Sequence, residues 1–452
     1  MRHLKIAFWG WLALLTGLWL IADLPVLRPR DPFVARGSMV QLTGVLAIGC
    51  MSLAMILALR PRWPEQWLGG LDRMYRLHKW LGISALVVAI THWLWSQGPK
   101  WGVRLGWLAP PSRGAQPVID NAVQQALLAQ RNTAESVGEW AFYAAVLLIA
   151  VALIHRIPYR LFYKTHRLIA VAYLALVFHA VVLIQFRYWT TPLGVLVAAM
   201  LAGGTAGSVL ALIRRIGAGR QVRGEIASLC YYHPSVPVLE GEIDVPNGWP
   251  GHKAGQFAFV TSNASEGHHP YTIASAWNPA RHRLTFITKE LGDWTRSLRE
   301  RLRVGQRVTV EGPYGCFTFE DTCPCQIWIG AGIGVTPFIA RMKHLAMEQR
   351  TDPSRFRRQD IHFFYTTAEW SDEAIAKLRA DAAASKLRLH ILYSPRDGRL
   401  TGDRIRAAVP AWREASIWFC GPLGFGSALR QDFADHGLEV GTRFHQELFA
   451  MR

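Results

Sequence analysis

The sequence predicts a six-helix membrane-spanning bundle, followed by a small β-barrel and then a parallel-sheet α/β domain. Three observations lead there. Apolar residues make up 51% of the 452 and charged residues only 18%, and the apolar excess lies almost wholly in the first half. That half holds six runs of roughly 17–24 residues, each long enough to cross a hydrocarbon core of ~30 Å. After Arg215 the texture becomes short β-rich runs broken by Gly, Pro and Asn, and from Gln326 apolar strands alternate with helical stretches. The expected domains are 1–215, 216–318 and 319–452.

The six expected spans are 6–22, 38–59, 78–96, 137–155, 166–186 and 190–213. The first follows Arg2 and Lys5 as a signal peptide would. It is long for an h-region, however, and no small-residue cleavage site follows Leu20–Asp23, so it is expected to be a retained helix. Segments 1–5, 60–79, 155–167 and 214–223 carry fifteen Lys and Arg, against eight in 23–37, 97–135 and 187–189. The positive-inside rule then places both termini in the cytoplasm of a multi-pass protein of the cell (inner) membrane. The net charge of +18 sits largely beside that membrane, and no nucleic-acid partner is expected. Nineteen Trp residues fit membrane interfaces. The six Cys form no C-x-x-C pair, which suggests neither a disulfide framework nor a zinc site. In the long loop 97–135, Asp120–Gln130 reads as a surface helix.

In the second half, Gln256–Thr261 and Arg283–Thr288 read as barrel strands. Ile327–Gly330, Ile361–Tyr365, Arg388–Tyr393 and Ile417–Cys420 read as parallel strands, with helices over Pro337–Glu348 and Asp372–Ala384.

Ionisable residues within a membrane are rare and functional by default. His78 and His92 bracket the third span and His166 and His179 the fifth, about 21 Å and 20 Å apart along each axis at ~1.5 Å per residue. Both spans run inside to outside, so His78 and His166 share the inner depth and His92 and His179 the outer. Two neutral imidazoles at one depth can grip one haem iron from both sides, and two layers make an electron wire. On an ideal helix His166 and His179 lie about 140° apart. A bend, a π-bulge, or haems on different sides of the helix would reconcile this.

With thirteen residues between one pair and twelve between the other, the chain resembles the ferric reductase and NADPH oxidase superfamily of transmembrane flavocytochromes b. Phe162-Tyr163-Lys164-Thr165-His166-Arg167 is similar to that superfamily's lead into its fifth helix. His269-Pro270-Tyr271-Thr272-Ile273-Ala274-Ser275 resembles its flavin motif. An aromatic ring there packs against FAD, and the Thr272 hydroxyl can reach the flavin atom that receives hydride. Ile287-Thr288-Lys289 precedes Gly292-Asp293-Trp294-Thr295, a helix start with free N–H groups for a pyrophosphate. Together with Lys253-Ala254-Gly255-Gln256-Phe257 and Glu311-Gly312-Pro313-Tyr314-Gly315, this ordered set resembles a ferredoxin-reductase-like module.

Gly330-Ala331-Gly332-Ile333-Gly334-Val335-Thr336-Pro337 follows a strand and opens a helix, where glycines let the backbone approach a pyrophosphate. It is similar to the G-x-G-x-x-P element of ferredoxin reductases, in which a Cys equivalent to that of Cys420-Gly421-Pro422 sits beside the nicotinamide. Thr366-Thr367 and Ser394-Pro395-Arg396 occupy the strand ends expected to meet a 2′-phosphate. Arg396 and Arg399 are candidate anchors, while Glu369 is placed to repel. NADPH is the favoured donor and NADH the alternative. Near the C-terminus, Phe449 matches an aromatic that covers the flavin in the family.

The resemblance implies electron flow from NAD(P)H through FAD and two b-type haems to an outer acceptor. Flavin joins a two-electron donor to one-electron acceptors. O2 giving superoxide is favoured. A ferric chelate is one alternative, and a periplasmic redox partner fed through loop 97–135 is another. No obligatory protein partner is evident. Arg36, at the outer start of the second span, is positioned to meet a haem propionate, superoxide or an anionic chelate.

Overall fold

The computed structural model describes residues 2–23, 32–110, 119–154, 156–232, 236–246, 248–351 and 359–447, the side chains of Pro32 and Asp293 aside. It divides into two compact units, Met1–Ile216 and Gly217–Ala450.

The first unit is helical: α1 (Arg2–Asp23), α2 (Pro32–Ala58), α3 (Arg62–Leu68), α4 (Leu71–Arg104), α5 (Ala122–Ala129), α6 (Arg131–Leu153), α7 (Tyr159–Leu183) and α8 (Pro192–Leu212). All but α3 and α5 are long and apolar enough to cross a membrane, six in all among the described residues. The chain is a multi-pass membrane protein. The expected windows 6–22 and 78–96 sit inside α1 and α4, those at 38–59, 137–155 and 166–186 start inside their helices but run one to three residues past the ends, and 190–213 overruns α8 at both ends. The 34 residues of α4 would reach ~51 Å, well beyond a ~30 Å core. Hydropathy marks only the part that lipid touches, while backbone hydrogen bonds carry the helix on through Asp72, Arg73 and Lys100. The loop expected over 97–135 is correspondingly shorter, since α4 runs to Arg104 and α6 starts at Arg131. The surface helix expected within it is α5, capped by Asn121 Oδ1, which accepts from the amides of Val123 and Gln124 at 3.0 Å each.

Helix α2 packs against α4 and α8, and α6 against α7. Small residues allow the close approaches, as in other membrane bundles. A β-carbon at Gly207 would lie 2.8 Å from the Met55 carbonyl oxygen. At the end of α1, Asp23 is fully buried. Ser38 Oγ and Tyr188 OH each donate to it at 2.7 Å, and Arg187 pairs with it. A buried carboxylate needs such partners, since desolvation of a lone charge is costly.

The second unit begins with a six-stranded antiparallel sheet, β1 (Gln221–Tyr231), β2 (Val238–Asp244), β3 (Phe257–Thr261), β4 (His269–Thr272), β5 (Arg283–Lys289) and β6 (Arg307–Tyr314), in the order β4-β3-β6-β1-β2-β5. Its core is built on Ile226, Ile273, Leu284 and Val310 with the rings of Trp249 and Phe286. Helix α9 (Asp293–Arg301) connects β5 to β6.

A parallel sheet follows: β7 (Cys325–Ala331), β8 (Asp360–Thr367), β9 (Arg388–Tyr393), β10 (Ser416–Cys420) and β11 (Phe444–Gln446), in the order β11-β10-β7-β8-β9. Helices α10 (Thr336–Thr351) and α11 (Asp372–Ala384) make the β7–β8 and β8–β9 crossovers. Strand β10 is buried throughout and β7 up to its last residue, as expected of central strands covered on both faces. The order reverses between β7 and β10. In such sheets that switch point opens a crevice at the carboxyl ends of the strands, where ligands bind.

Candidate functional site

The membrane unit brings the four histidines together in two pairs, each between α4 and α7. The ring centres of His78 and His166 lie 5.9 Å apart, and those of His92 and His179 lie 6.3 Å apart. A metal–imidazole bond of about 2 Å, plus about 1.1 Å from nitrogen to ring centre, separates two axial imidazoles by roughly 6.2 Å. Each pair therefore has the spacing to hold one metal ion from both sides. Backbone carbonyls set the tautomers. Nδ1 of His78 donates to Ala54 O at 2.9 Å, that of His92 to Val40 O at 3.0 Å, and that of His179 to Ala134 O at 2.9 Å. A carbonyl has no proton to give, so these rings carry theirs on Nδ1 and keep Nε2 as the lone-pair nitrogen. His166 is held differently, with its ring stacked on Phe162 at 5.0 Å. Helix α7 runs unbroken from Tyr159 to Leu183, with no π-bulge. His166 and His179 thus leave it on different sides.

A cavity of ≈ 980 Å³ opens beside His92 and His179, lined also by Gly44, Gly138, Gln41 and Arg36. It lies at the large end of cofactor-sized sites, about 300–1,000 Å³. Arg36 does reach this cavity, but its guanidinium is engaged: Nε donates to Trp95 O at 3.2 Å and Nη2 to Ser96 O at 2.9 Å. Pro99 lies inside α4 and has no N–H for the carbonyl four residues back, which is Trp95. Arg36 supplies the missing donor.

In the barrel, β4 carries His269, Pro270, Tyr271 and Thr272. The His269 ring stacks on Trp294 of α9 at 5.1 Å and 9°. Trp294 Nε1 donates to Tyr271 OH at 3.1 Å. The two motifs thus form one aromatic wall, with buried Thr272 at the end of its strand. Burial holds His269 down at about 4, neutral near pH 7. Thr295 Oγ1 accepts from the amides of Leu291 and Gly292 at 2.9 and 3.0 Å, so it shapes the helix start. The first-turn amides of α9 remain the donors for an anion. Ser275 Oγ accepts from Thr285 N at 3.1 Å and ties the sheet. Ile287, Thr288 and Lys289 end β5, where Lys289 Nζ pairs with Glu369 at 2.8 Å.

The β7–α10 loop and the end of β10 meet at the switch point. A β-carbon on Gly334 would overlap the Cys420 carbonyl, and one on Gly330 would crowd Phe363 and Phe338 at 3.2 and 3.3 Å. Gly332 has φ +57°, the left-handed region. Val335 ends the 3₁₀ turn, and Thr336 and Pro337 open α10. Cys420, followed by Gly421 and Pro422, is fully buried. Burial, then the Glu447 carboxylate, raises its thiol well above the ordinary range, so it is a neutral neighbour rather than a nucleophile. Further along the sheet, Ser394 Oγ donates to Thr367 O at 2.8 Å, joining the ends of β8 and β9. Thr367 Oγ1 donates to Glu369 O at 2.9 Å, and Arg396 forms an ion pair with Asp397.

Comparison with known proteins agrees with both halves. Residues 43–177 match the ferric reductase like transmembrane component, and 234–318 match an FAD-binding domain. The chain thus joins a ferric-reductase-like transmembrane component to an FAD-binding domain, the combination of an oxidoreductase. It is 24% identical over 399 residues to respiratory burst oxidase homolog protein E of Arabidopsis thaliana, covering 64% of this chain and 40% of the relative. It is 24% identical over 352 residues to dual oxidase 2 of Homo sapiens, covering 71% of this chain and 21% of the relative. It thus spans less than half the length of either relative. Among solved structures, a ferredoxin reductase in carbazole 1,9a-dioxygenase aligns over 51% of this chain and 69% of its own, at 19% identity and TM-score 0.40.

The sequence pointed to the histidines but not to what seats them. Gly44 and Gly138 make room for the imidazoles of His92 and His179, and the carbonyls of Val40, Ala54 and Ala134 orient three of the four. Gly44 and Gly138 were visible within their spans, but nothing local in the chain marks either as facing a histidine. Phe449, expected over the flavin, lies outside the described residues.

Proposed function

We propose that the chain transfers electrons from NADPH, bound on the cytoplasmic side, across the cell membrane to an acceptor at the outer face, O2 giving superoxide. The observation that carries this reading is the pair of imidazole pairs, 5.9 and 6.3 Å between ring centres, stacked along α4 and α7. Bound FAD would supply the junction between a hydride donor and single electrons, and two bound b-type haems a one-electron relay.

The chain's own residues divide the work. His78 and His166 would hold the inner haem, His92 and His179 the outer, with three of the rings kept by backbone carbonyls in the ligating tautomer. His269, Pro270, Tyr271 and Trp294 would bind and orient FAD, the α9 amides would receive its pyrophosphate, and Thr272 would face its ring. Gly330, Gly332, Gly334 and the start of α10 would receive the NADPH pyrophosphate. Cys420 would line the nicotinamide position without titrating, and Thr367, Ser394 and Arg396 would meet the ribose end. All four imidazoles would be committed to holding the haems. The excess of Lys and Arg in segments 1–5, 60–79, 155–167 and 214–223 supports the cytoplasmic placement of both termini.

The test is anaerobic. Purified protein is reduced with NADPH, O2 or ferric citrate is added, and haem reoxidation is followed by absorbance. Fast reoxidation by O2 with superoxide release is expected. Reoxidation by ferric citrate alone would assign a ferric reductase instead.

A further inference from the structure

The ribose end of the nucleotide crevice holds a cation that is already engaged. Arg396 Nε and Nη2 donate to Asp397 Oδ1 and Oδ2 at 2.8 and 3.0 Å, the parallel two-point geometry of the strongest ion pairs. The carboxylate is also tied to the main chain, the Tyr393 amide donating to the same Oδ2 at 2.9 Å. Arg404 Nη1 donates to the Asp397 carbonyl at 2.7 Å and holds the turn. The Arg396 guanidinium also lies 5.9 Å from the ring centre of Trp370, which packs on Tyr393 at 5.6 Å. The Ser394–Thr367 hydrogen bond sets this turn at the end of β9 beside the end of β8. In dinucleotide-binding sheets, the cation that accepts a 2′-phosphate lies near the ribose.

The second carboxylate of the region does not enter the balance. Glu369 is paired with Lys289 of β5. Asp397 is the charge that matters. NADPH brings a phosphate dianion to this point, whereas NADH brings a neutral hydroxyl. A dianion that reaches Arg396 must also stand close to the Asp397 carboxylate, and like charges a few ångströms apart repel. A hydroxyl meets no such opposition.

Resting on the reading of this crevice as the NAD(P)H site, we propose that Asp397 sets the coenzyme preference. By holding Arg396 in a two-point ion pair, it offsets the attraction of the guanidinium for a 2′-phosphate, so that the chain accepts NADH alongside NADPH instead of selecting NADPH. Asp397 is a positioning residue, acting through Arg396. Its carboxyl is held down at about 2 by Arg396 and then by the Tyr393 amide, so the opposition persists across the working pH range.

The test uses the full-length protein with saturating FAD and a soluble dye as acceptor, with kcat and KM measured for NADPH and NADH at low ionic strength. Asp397→Asn keeps the size of the side chain and its bond from Tyr393 but removes the charge. It is expected to lower KM for NADPH about tenfold, the order of one charge-assisted contact, while KM for NADH moves less than about twofold. The gain should fade in high salt, and Asp397→Glu should restore the original ratio. A purely structural role would move both coenzymes together. An unchanged or raised KM for NADPH in Asp397→Asn would overturn the proposal. Arg396→Gln separates the two levels of the argument. If it brings NADPH down to the efficiency of NADH while Asp397→Asn does nothing, the crevice reading stands and the role of Asp397 falls. If it leaves the ratio unmoved, no 2′-phosphate meets Arg396, and both fall. Should Asp397→Asn lose FAD, Asp397→Ser serves as the uncharged variant.

Discussion

Gly138 on α6 stands where a β-carbon would fall inside the imidazole of His179 on α7. Gly44 on α2 faces His92 less tightly, with the ring edge 3.3 Å from its would-be β-carbon. The imidazoles of His92 and His179 are therefore seated in space that glycine leaves open, and the Ala134 carbonyl one helical turn before Gly138 accepts the His179 proton.

Gly138→Ala is accordingly expected to push His179 off its partner. The cost is that of overpacking a filled interior, about 1–3 kcal/mol, with loss of most outer-haem occupancy. Gly44→Ala should do the same more mildly, since the imidazole edge need give only a few tenths of an ångström. Haem content per chain, read from pyridine haemochrome spectra, should fall from two toward one in Gly138→Ala. Full content in that variant would refute the seating role.

Removing ligands should separate the layers. His179→Leu and His92→Leu are each expected to eliminate one haem and abolish reduction of acceptors on the outer face, while NADPH-driven dye reduction by flavin survives. His78→Leu and His166→Leu should also eliminate one haem each. A redox titration showing two components in any of the four variants would count against the pairing.

Trp294→Leu removes the stack with His269 and the hydrogen bond to Tyr271. Aromatic stacking contributes about 0.5–1.5 kcal/mol beyond area burial, and a hydrogen bond about 1 kcal/mol. A roughly tenfold weaker affinity for FAD is expected, measured by fluorescence titration of the deflavinated protein. Thr272→Val, nearly the same size, should retain FAD affinity within about threefold but slow flavin reduction by NADPH in stopped flow. Equal losses of affinity in both variants would mean that Thr272 only packs.

Two buried imidazoles of the second unit give stability a definite pH dependence. Burial lowers His252 and His269 from the ordinary 6.5 to about 4. His252 also donates from Nε2 to Ser275 O at 2.9 Å. The unfolded chain binds protons at these sites below about 6.5, where the folded one still does not. Their contribution is therefore complete above pH 6.5 and lost as pH falls from 6.5 toward 4. Flavin-release temperatures should drop over that window, and His252→Gln should flatten part of the slope. A slope of opposite sign would show that other groups dominate.

The pairing of the four histidines was legible in the sequence because an imidazole within an apolar run is costly unless used, and because their spacing matched in two helices. H-P-Y-T and G-D-W-T were legible for the same local reason, since each is a contiguous strand or helix start. What lay between such segments was not. The stack of His269 on Trp294 exists only once β4 and α9 are side by side, and the seating of His179 only once α6 meets α7. A glycine in an apolar helix looks the same whether or not an imidazole faces it. Arg36 shows the limit most directly. At the outer start of its span it reads as a ligand for anions, yet the carbonyl it serves is orphaned by Pro99, on another helix and far along the chain. Arg396 and Asp397 are neighbours in any conformation, but only the turn closing β9, with the Tyr393 amide fixing the carboxylate, makes them an ion pair. Apolar periodicity and local chemistry are properties of the chain. Which partner a polar group meets is decided by packing, where leaving it unmet would cost more than the contact yields.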